Sequence, residues 1–238
     1  MSTAHHTFPL RLSGELDPEL GRWKWLFKWL LAIPHFVVLF FLWIGFFLST
    51  VVAGFGILFT RRYPRSIFDF NVDVLRWSWR VGFYTYSALG TDRYPPFSLA
   101  DDPEYPARLE VEYPGQLSRG LVLIKWWLLA IPHYLIIGIF TGGAWSAWSD
   151  DGDGFLYAFG GGLIGLLVLF AGFALLFTDR YPRSLYDFVL GLNRWVFRVV
   201  AYAGLMTDAY PPFRLDNGSH EPRLGSAAAM PSAGSATA

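Results

Sequence analysis

The sequence predicts an all-α integral membrane fold. It is built from two tandem repeats, each a transmembrane helical hairpin plus an interfacial amphipathic helix, with a short strand before each repeat. Three observations carry this. The 238-residue chain is 53% hydrophobic and 19% aromatic but only 16% charged, where a soluble domain carries about a quarter. Long apolar runs alternate with basic clusters, the pattern of helices held between two membrane interfaces. The block from Arg62 to Phe70, Arg-Tyr-Pro-Arg-Ser-Ile-Phe-Asp-Phe, returns 118 residues later as Arg-Tyr-Pro-Arg-Ser-Leu-Tyr-Asp-Phe, Arg180 to Phe188. Each copy follows an apolar run and precedes a helix-period segment with two arginines.

The repeats run over 8–99 and 105–215, with a polar linker, Leu99 to Glu104, between them. Each opens on an alternating stretch, Phe8 to Leu16 and Tyr105 to Tyr113. Period-two alternation predicts a half-buried strand. Since a lone strand is not stable in water, the two are expected to pair with each other.

The first apolar element of each repeat begins with Trp beside Lys or Arg, at Arg22–Lys28 and Arg119–Trp127, and continues through Ile33-Pro34-His35 and Ile131-Pro132-His133. Such mixtures mark an interface, the ring at headgroup level and the cation reaching outward. In the second repeat, Leu121–Phe140 gives a 20-residue span and Phe155–Thr178 a 24-residue span. They are separated by a break holding Asp150, Asp151 and Asp153. Gly160, Gly161, Gly162 and Gly165 would let a neighbouring helix approach closely. In the first repeat, Trp23–Phe59 is 37 residues without a polar break. Two short spans turning near Gly45 are expected there, with one long span as the rival; the two hairpins then form parallel repeats related by an axis along the membrane normal. Both Arg-Tyr-Pro-Arg copies and both termini then face the cytoplasm of a multi-pass inner (plasma) membrane protein, since the flanks are basic and the loop between the second pair is acidic.

After each copy comes a third element, Ile67–Leu89 and Leu185–Met206. Arg65, Asp69, Asp73, Arg76 and Arg80 fall on one narrow helical stripe with apolar residues opposite. The second copy keeps Arg183, Asp187, Arg194 and Arg198 but has Gly191 in place of Asp73. Two central arginines make a spanning helix costly, so the element is read as lying in the interface. Each repeat closes on Thr91-Asp-Arg-Tyr-Pro-Pro-Phe97 or Thr207-Asp-Ala-Tyr-Pro-Pro-Phe213, where paired prolines force extended backbone. The segment 216–238, rich in Gly, Ala, Ser and Pro, is expected to be disordered.

The ordered run Ala-Ile-Pro-His, Leu-Phe-Thr-x-Arg-Tyr-Pro-Arg-Ser, Asp-Phe, Arg-Trp-x-x-Arg and Thr-Asp-x-Tyr-Pro-Pro-Phe resembles the uncharacterised bacterial membrane family known as domain of unknown function 4389. The resemblance covers about residues 8–215 in two units. It implies an integral membrane protein and brings neither substrate nor catalytic residues.

Zero formal net charge gives no bulk attraction to nucleic acid. The absence of cysteine excludes disulfides and thiolate chemistry. No cleavable signal pattern precedes the first apolar run. His5 and His6 have no third ligand near them in sequence. No paired-carboxylate site, nucleophile with a base, phosphate loop or metal spacing is present, so no enzyme activity and no cofactor are expected. Candidate binding residues are His35 and His133, Arg62, Arg65, Arg180 and Arg183, and the charged stripe of Asp69, Asp187, Arg76, Arg80, Arg194 and Arg198. The histidines either brace their proline kinks by donating to a local carbonyl, or face each other to hold haem or relay protons. The stripe is read as an ion-pair network or a set of headgroup contacts, with an ion path as rival. The sequence therefore points to a non-enzymatic accessory or scaffolding subunit that contacts the lipid bilayer and another membrane protein or a second copy of itself. A small transporter or channel, and a haem-binding redox subunit, are the alternatives.

Overall fold

The computed structural model describes residues 8–142 and 162–218. The expectations for His5 and His6, the acidic break, Gly160, Gly161 and most of the C-terminal segment lie outside the described residues.

The two alternating stretches form strands β1 (Leu10–Gly14) and β2 (Ala107–Val111), paired antiparallel with Leu12 opposite Leu109. Leu10, Leu12 and Leu109 point into the core, and Arg11, Arg108 and Glu110 are exposed. Glu15 and Glu112 donate their N–H groups to Pro106 and Pro9 across the ladder. Hydrogen-bonded and non-hydrogen-bonded pairs alternate. Leu12 and Leu109 are therefore a non-hydrogen-bonded pair, and their carbonyls point away from each other, to the two outer edges.

The first apolar run is a single helix, α1 (Trp25–Thr60), continuous through Pro34 and Gly45. The expected hairpin with a turn at Gly45 is not formed. Nothing between His35 and Ser49 breaks the apolar helical pattern, and a lone glycine is only a weak breaker. Gly45 has another use: a Cβ there would lie 3.2 Å from the ring of Phe70, so the missing side chain admits the next helix. α1 stops where Arg61 takes a left-handed conformation (φ 59°) and donates its N–H to Ile57.

Helix α2 (Arg65–Tyr84) then runs back along α1. Pro64 lies against Gly56, Asn71 bonds Ser49, Ser78 accepts from Trp43, and Val81 clusters with Leu39. Seventeen residues on one helix match seventeen on the other, so the two are antiparallel neighbours.

The second repeat has α3 (Arg119–Ile124), a π-helical turn (Lys125–Leu129), α4 (Ile131–Thr141), α5 (Leu163–Thr178) and α6 (Arg183–Ala203). α3 with the π turn meets α4 at a 45° bend. α3 with the π turn, α4 and α5 together match α1. Residues up to Ile44 align with those up to Gly142, and Gly45 onward with Leu163 onward, so the second repeat carries twenty extra residues at one point. The two sides of that insertion adjoin: a Cβ on Gly162 would fall 2.2 Å from the nitrogen of Gly142.

The repeats are antiparallel to each other. Arg22, before α1, pairs with Asp179, after α5, at 2.6 Å. Arg119, opening α3, donates to the Phe59 carbonyl at the end of α1 at 2.7 Å. The start of each long helix thus meets the end of the other, and the pseudo-two-fold axis crosses the long helices. The parallel arrangement expected from two same-sense hairpins is corrected on this point; it depended on the turn at Gly45.

Three layers result. The long helices α1 and α3–α5 form an apolar layer. α2 and α6 lie beneath it, and β1 and β2 beneath them. The exposed large apolar side chains lie on the apolar layer and its flanking loops, at Trp23, 94–97 and 210–215; among the described residues none is on α2, α6 or a strand. α2 and α6 are largely buried, so they are not helices lying in a lipid interface. Their polar stripes face the strands and the linker. By length and composition α1 could cross a membrane, and α3–α4 could do so if taken as one bent span. Only 17% of the most apolar window of α1 is buried, unlike the core helix of a soluble domain.

Candidate functional site

Each repeat places one lysine inside the protein. Lys28 is 1% exposed and Lys125 0%. Lys28 Nζ donates to the Thr91 carbonyl at 2.7 Å and meets Asp92 at 2.8 Å. Lys125 Nζ donates to the Thr207 carbonyl at 3.0 Å and meets Asp208 at 2.8 Å. The same aspartates accept from the Gly21 and Ser118 N–H groups just before each long helix. The Thr-Asp signature is thus a clamp on the helix start. Burial alone would raise the Asp92 carboxyl, but the Lys28 ammonium and the Gly21 N–H outweigh it and hold the group below the usual carboxylate range. These lysines reach inward, contrary to the interfacial reading. Sequence held one signal: Lys28-Trp-Leu-Leu-Ala-Ile-Pro-His35 recurs as Lys125-Trp-Trp-Leu-Leu-Ala-Ile-Pro-His133, one tryptophan longer. The π turn takes up the extra residue and keeps lysine and histidine on one face.

His35 and His133 are both 0% exposed. Trp77 Nε1 donates to His35 Nδ1 at 3.1 Å, and Trp195 Nε1 to His133 Nδ1 at 3.1 Å. Phe97 stacks on His35 with centroids 3.9 Å apart, and Phe213 on His133 at 4.4 Å. Tyr94 and Tyr210 complete each enclosure and donate their hydroxyls to Leu31 and Leu129. With Nδ1 accepting, the neutral ring carries its proton on Nε2. Neither Nε2 has a well-formed hydrogen bond among the described residues. The ring therefore accepts from a tryptophan of its own repeat. The Tyr-Pro-Pro-Phe signature serves as its lid.

The charged stripes bind the strands. Arg76 Nε donates to Leu109 of β2 at 3.1 Å, and its guanidinium pairs at 2.8 Å with Asp73, one turn earlier on the same stripe. Burial raises the Asp73 carboxyl despite Arg76. Arg194, 0% exposed, donates to Leu12 of β1 at 2.8 Å and to the Asp216 carbonyl at 2.6 Å. Both of these acceptors are backbone groups, distant from Arg194 in the chain. Arg80 donates to the Ala100 carbonyl at 3.2 Å, and Arg198 pairs with Asp216 at 2.7 Å. Gly191 has its reason here: a Cβ would come within 2.7 Å of Asn217 and 3.3 Å of Asp216. The glycine opens the place that Asp216 fills, so the chain is fixed past the expected start of the tail.

Within the Arg-Tyr-Pro-Arg blocks the tyrosines fasten the repeats together. Tyr63 donates to Gly204 at 3.2 Å, and Tyr181 to Ala88, its symmetry equivalent, at 3.0 Å. Burial pushes the Tyr63 phenol up to about 12, against the lowering by Asn71 and Thr50. It remains a donor at any physiological pH. Arg62, Arg180 and Arg183 are exposed. Arg65 makes a surface pair with Asp69 at 3.1 Å and lies over the Tyr113 ring. Asp187 is half-buried. The structure thus gathers the stripe residues around the strands and leaves the outer arginines at the ends of the long helices. Each histidine sits in its own repeat's enclosure.

A family model described as Domain of unknown function (DUF4389) matches residues 22–98 and 154–214. No curated protein and no solved structure matches the chain.

Proposed function

The chain belongs to the DUF4389 family, and on that premise we propose that it is a non-enzymatic membrane module, a lipid-embedded scaffold that presents a rigid polar face to other proteins. The observation that carries this is a division of labour. The long helices expose Phe, Leu, Val and Trp along their whole length, far beyond the apolar patches of ordinary monomers. The polar signature residues are engaged inside the protein: Lys28 with Asp92 and its equivalent clamp the start of their own long helix, and Tyr63, Arg76 and their equivalents hold the two repeats together. That leaves the apolar layer for lipid and the strand layer for a partner.

The experiment is extraction from membranes. The protein should remain in the membrane pellet through high salt and alkaline carbonate, and leave it in mild detergent. Recovery in the soluble fraction as a monodisperse species, without detergent, overturns the reading.

A further inference from the structure

We infer that the long helices lie in the plane of one leaflet and do not cross the bilayer. The inference rests on the lipid-embedded reading above and concerns how the module sits.

Length is the first argument. Exposed apolar side chains run along α1 from Leu26 to Phe59, about 50 Å at 1.5 Å per residue. A bilayer core is about 30 Å thick. An upright α1 would push about 20 Å of apolar surface beyond it, whereas an in-plane helix has no such limit.

The position of the charges is the second. Trp43, at the middle of α1, bonds Ser78, and Arg76 two residues away reaches Leu109 at the centre of β2. The strand pair therefore lies beside the mid-height of α1, and Arg194 fixes β1 at the same level by symmetry. Arg11 and Glu110, paired across the strands, are exposed there. Stood upright, the protein would hold these charges near the centre of the hydrocarbon, where they carry a large penalty. Laid flat, the same three layers put apolar helices in lipid and the charged strands in water.

The third is the placement of basic residues. Arg22 and Arg180 mark one end of the apolar layer, and Arg61, Arg62 and Arg119 the other; all are exposed. In the flat pose both ends rest at headgroup level on one side, with cations facing phosphates.

The chain has no cysteine, so single cysteines can be placed freely. Spin labels at Phe27→Cys, Phe41→Cys and Phe55→Cys, fourteen residues apart on one exposed face, would be measured in phosphatidylcholine–phosphatidylglycerol vesicles. Collision with oxygen against a water-soluble nickel chelate reports depth. Equal shallow depth at all three is expected. Ser66→Cys, Ser184→Cys and Glu110→Cys should all react with an impermeant thiol reagent from the same side. A deep label at 41 between shallow labels at 27 and 55, with 66 and 184 reacting from opposite sides, overturns the flat pose and leaves the lipid-embedded reading intact. Labels that never meet lipid oxygen, in a chain absent from the vesicles, overturn both. Labels occluded in a vesicle-bound dimer overturn the flat pose by showing that a second copy covers the face.

Discussion

Leu12 and Leu109, directly opposed in the strand pair, give their carbonyls to arginines of opposite repeats: Arg194 reaches Leu12 at 2.8 Å and Arg76 reaches Leu109 at 3.1 Å. Outer strand edges carry unpaired backbone groups that invite further pairing, and here each edge is closed by a guanidinium.

The two arginines should differ in worth. Arg194 is fully buried, and its side chain also holds Asp216. Arg194→Ala leaves buried acceptors unmatched and should cost about 3 kcal/mol, near the upper range for charged hydrogen bonds. Arg76 is partly exposed, so Arg76→Ala should cost about 1 kcal/mol. Thermal unfolding in detergent checks the order. Equal losses, or no loss at Arg194, would contradict it.

The clamp on α1 should be acid-sensitive. The Asp92 carboxyl is held below its ordinary value in the folded protein. Its stabilisation is therefore full above the unfolded pKa of about 3.9 and is lost as pH falls through the lower folded value. Asp92→Asn should already show the lower acid-limit stability at pH 7 and flatten the pH dependence below about pH 4. Removing both charges, Lys28→Met with Asp92→Leu, should destabilise less than Lys28→Met alone, because a lone buried carboxylate is worse than none. A pH profile of Asp92→Asn identical to that of wild type would refute the clamp.

Deleting Trp127 should be tolerated. It gives the second repeat the spacing of the first, Lys-Trp-Leu-Leu-Ala-Ile-Pro-His, and removes the need for a π turn. Deleting Leu30 from α1 should be destructive, since it turns Lys28 about 100° away from the face of His35. Monodisperse elution and melting temperature of the two deletions distinguish them; equal damage would show that the π turn is not a compensating insertion.

Purified protein should be colourless. Each imidazole is fully buried, has Nδ1 engaged by a tryptophan, and is stacked against a phenylalanine. His133→Phe should leave the Trp195 indole N–H unpaired, at a cost of about 1–3 kcal/mol. A Soret band from haem-replete cells, lost in His35→Ala, would reverse this reading.

The repeat, the strands and their pairing were legible in sequence because they depend on local alternation and on near-identical motifs. The single long α1 was not. A glycine at position 45 reads the same whether it turns the chain or admits Phe70. The antiparallel relation of the halves was also hidden, because it rests on pairs such as Arg22 with Asp179, far apart in the chain. The stripe around Arg76 was recognised as charged and helical. That it would meet backbone carbonyls of strands, rather than water or lipid, depended on where β1 and β2 lie. The prolines mark the histidines in the sequence, while their hydrogen-bond donors, Trp77 and Trp195, sit about forty and sixty residues away.

The fastening of the halves is crossed. β1 opens the first repeat yet is bonded by α6 of the second, while β2 opens the second and is bonded by α2 of the first. Tyr63 and Tyr181 likewise reach across. Each of these four contacts has its two-fold equivalent among them, so in these pairs one half presents both bonding members. Self-complementarity of this kind is the geometric requirement for a two-fold isologous interface between two copies of a single half. In this chain the two halves are joined by the short linker at 99–104, and they differ at Gly191 and at the twenty-residue insertion.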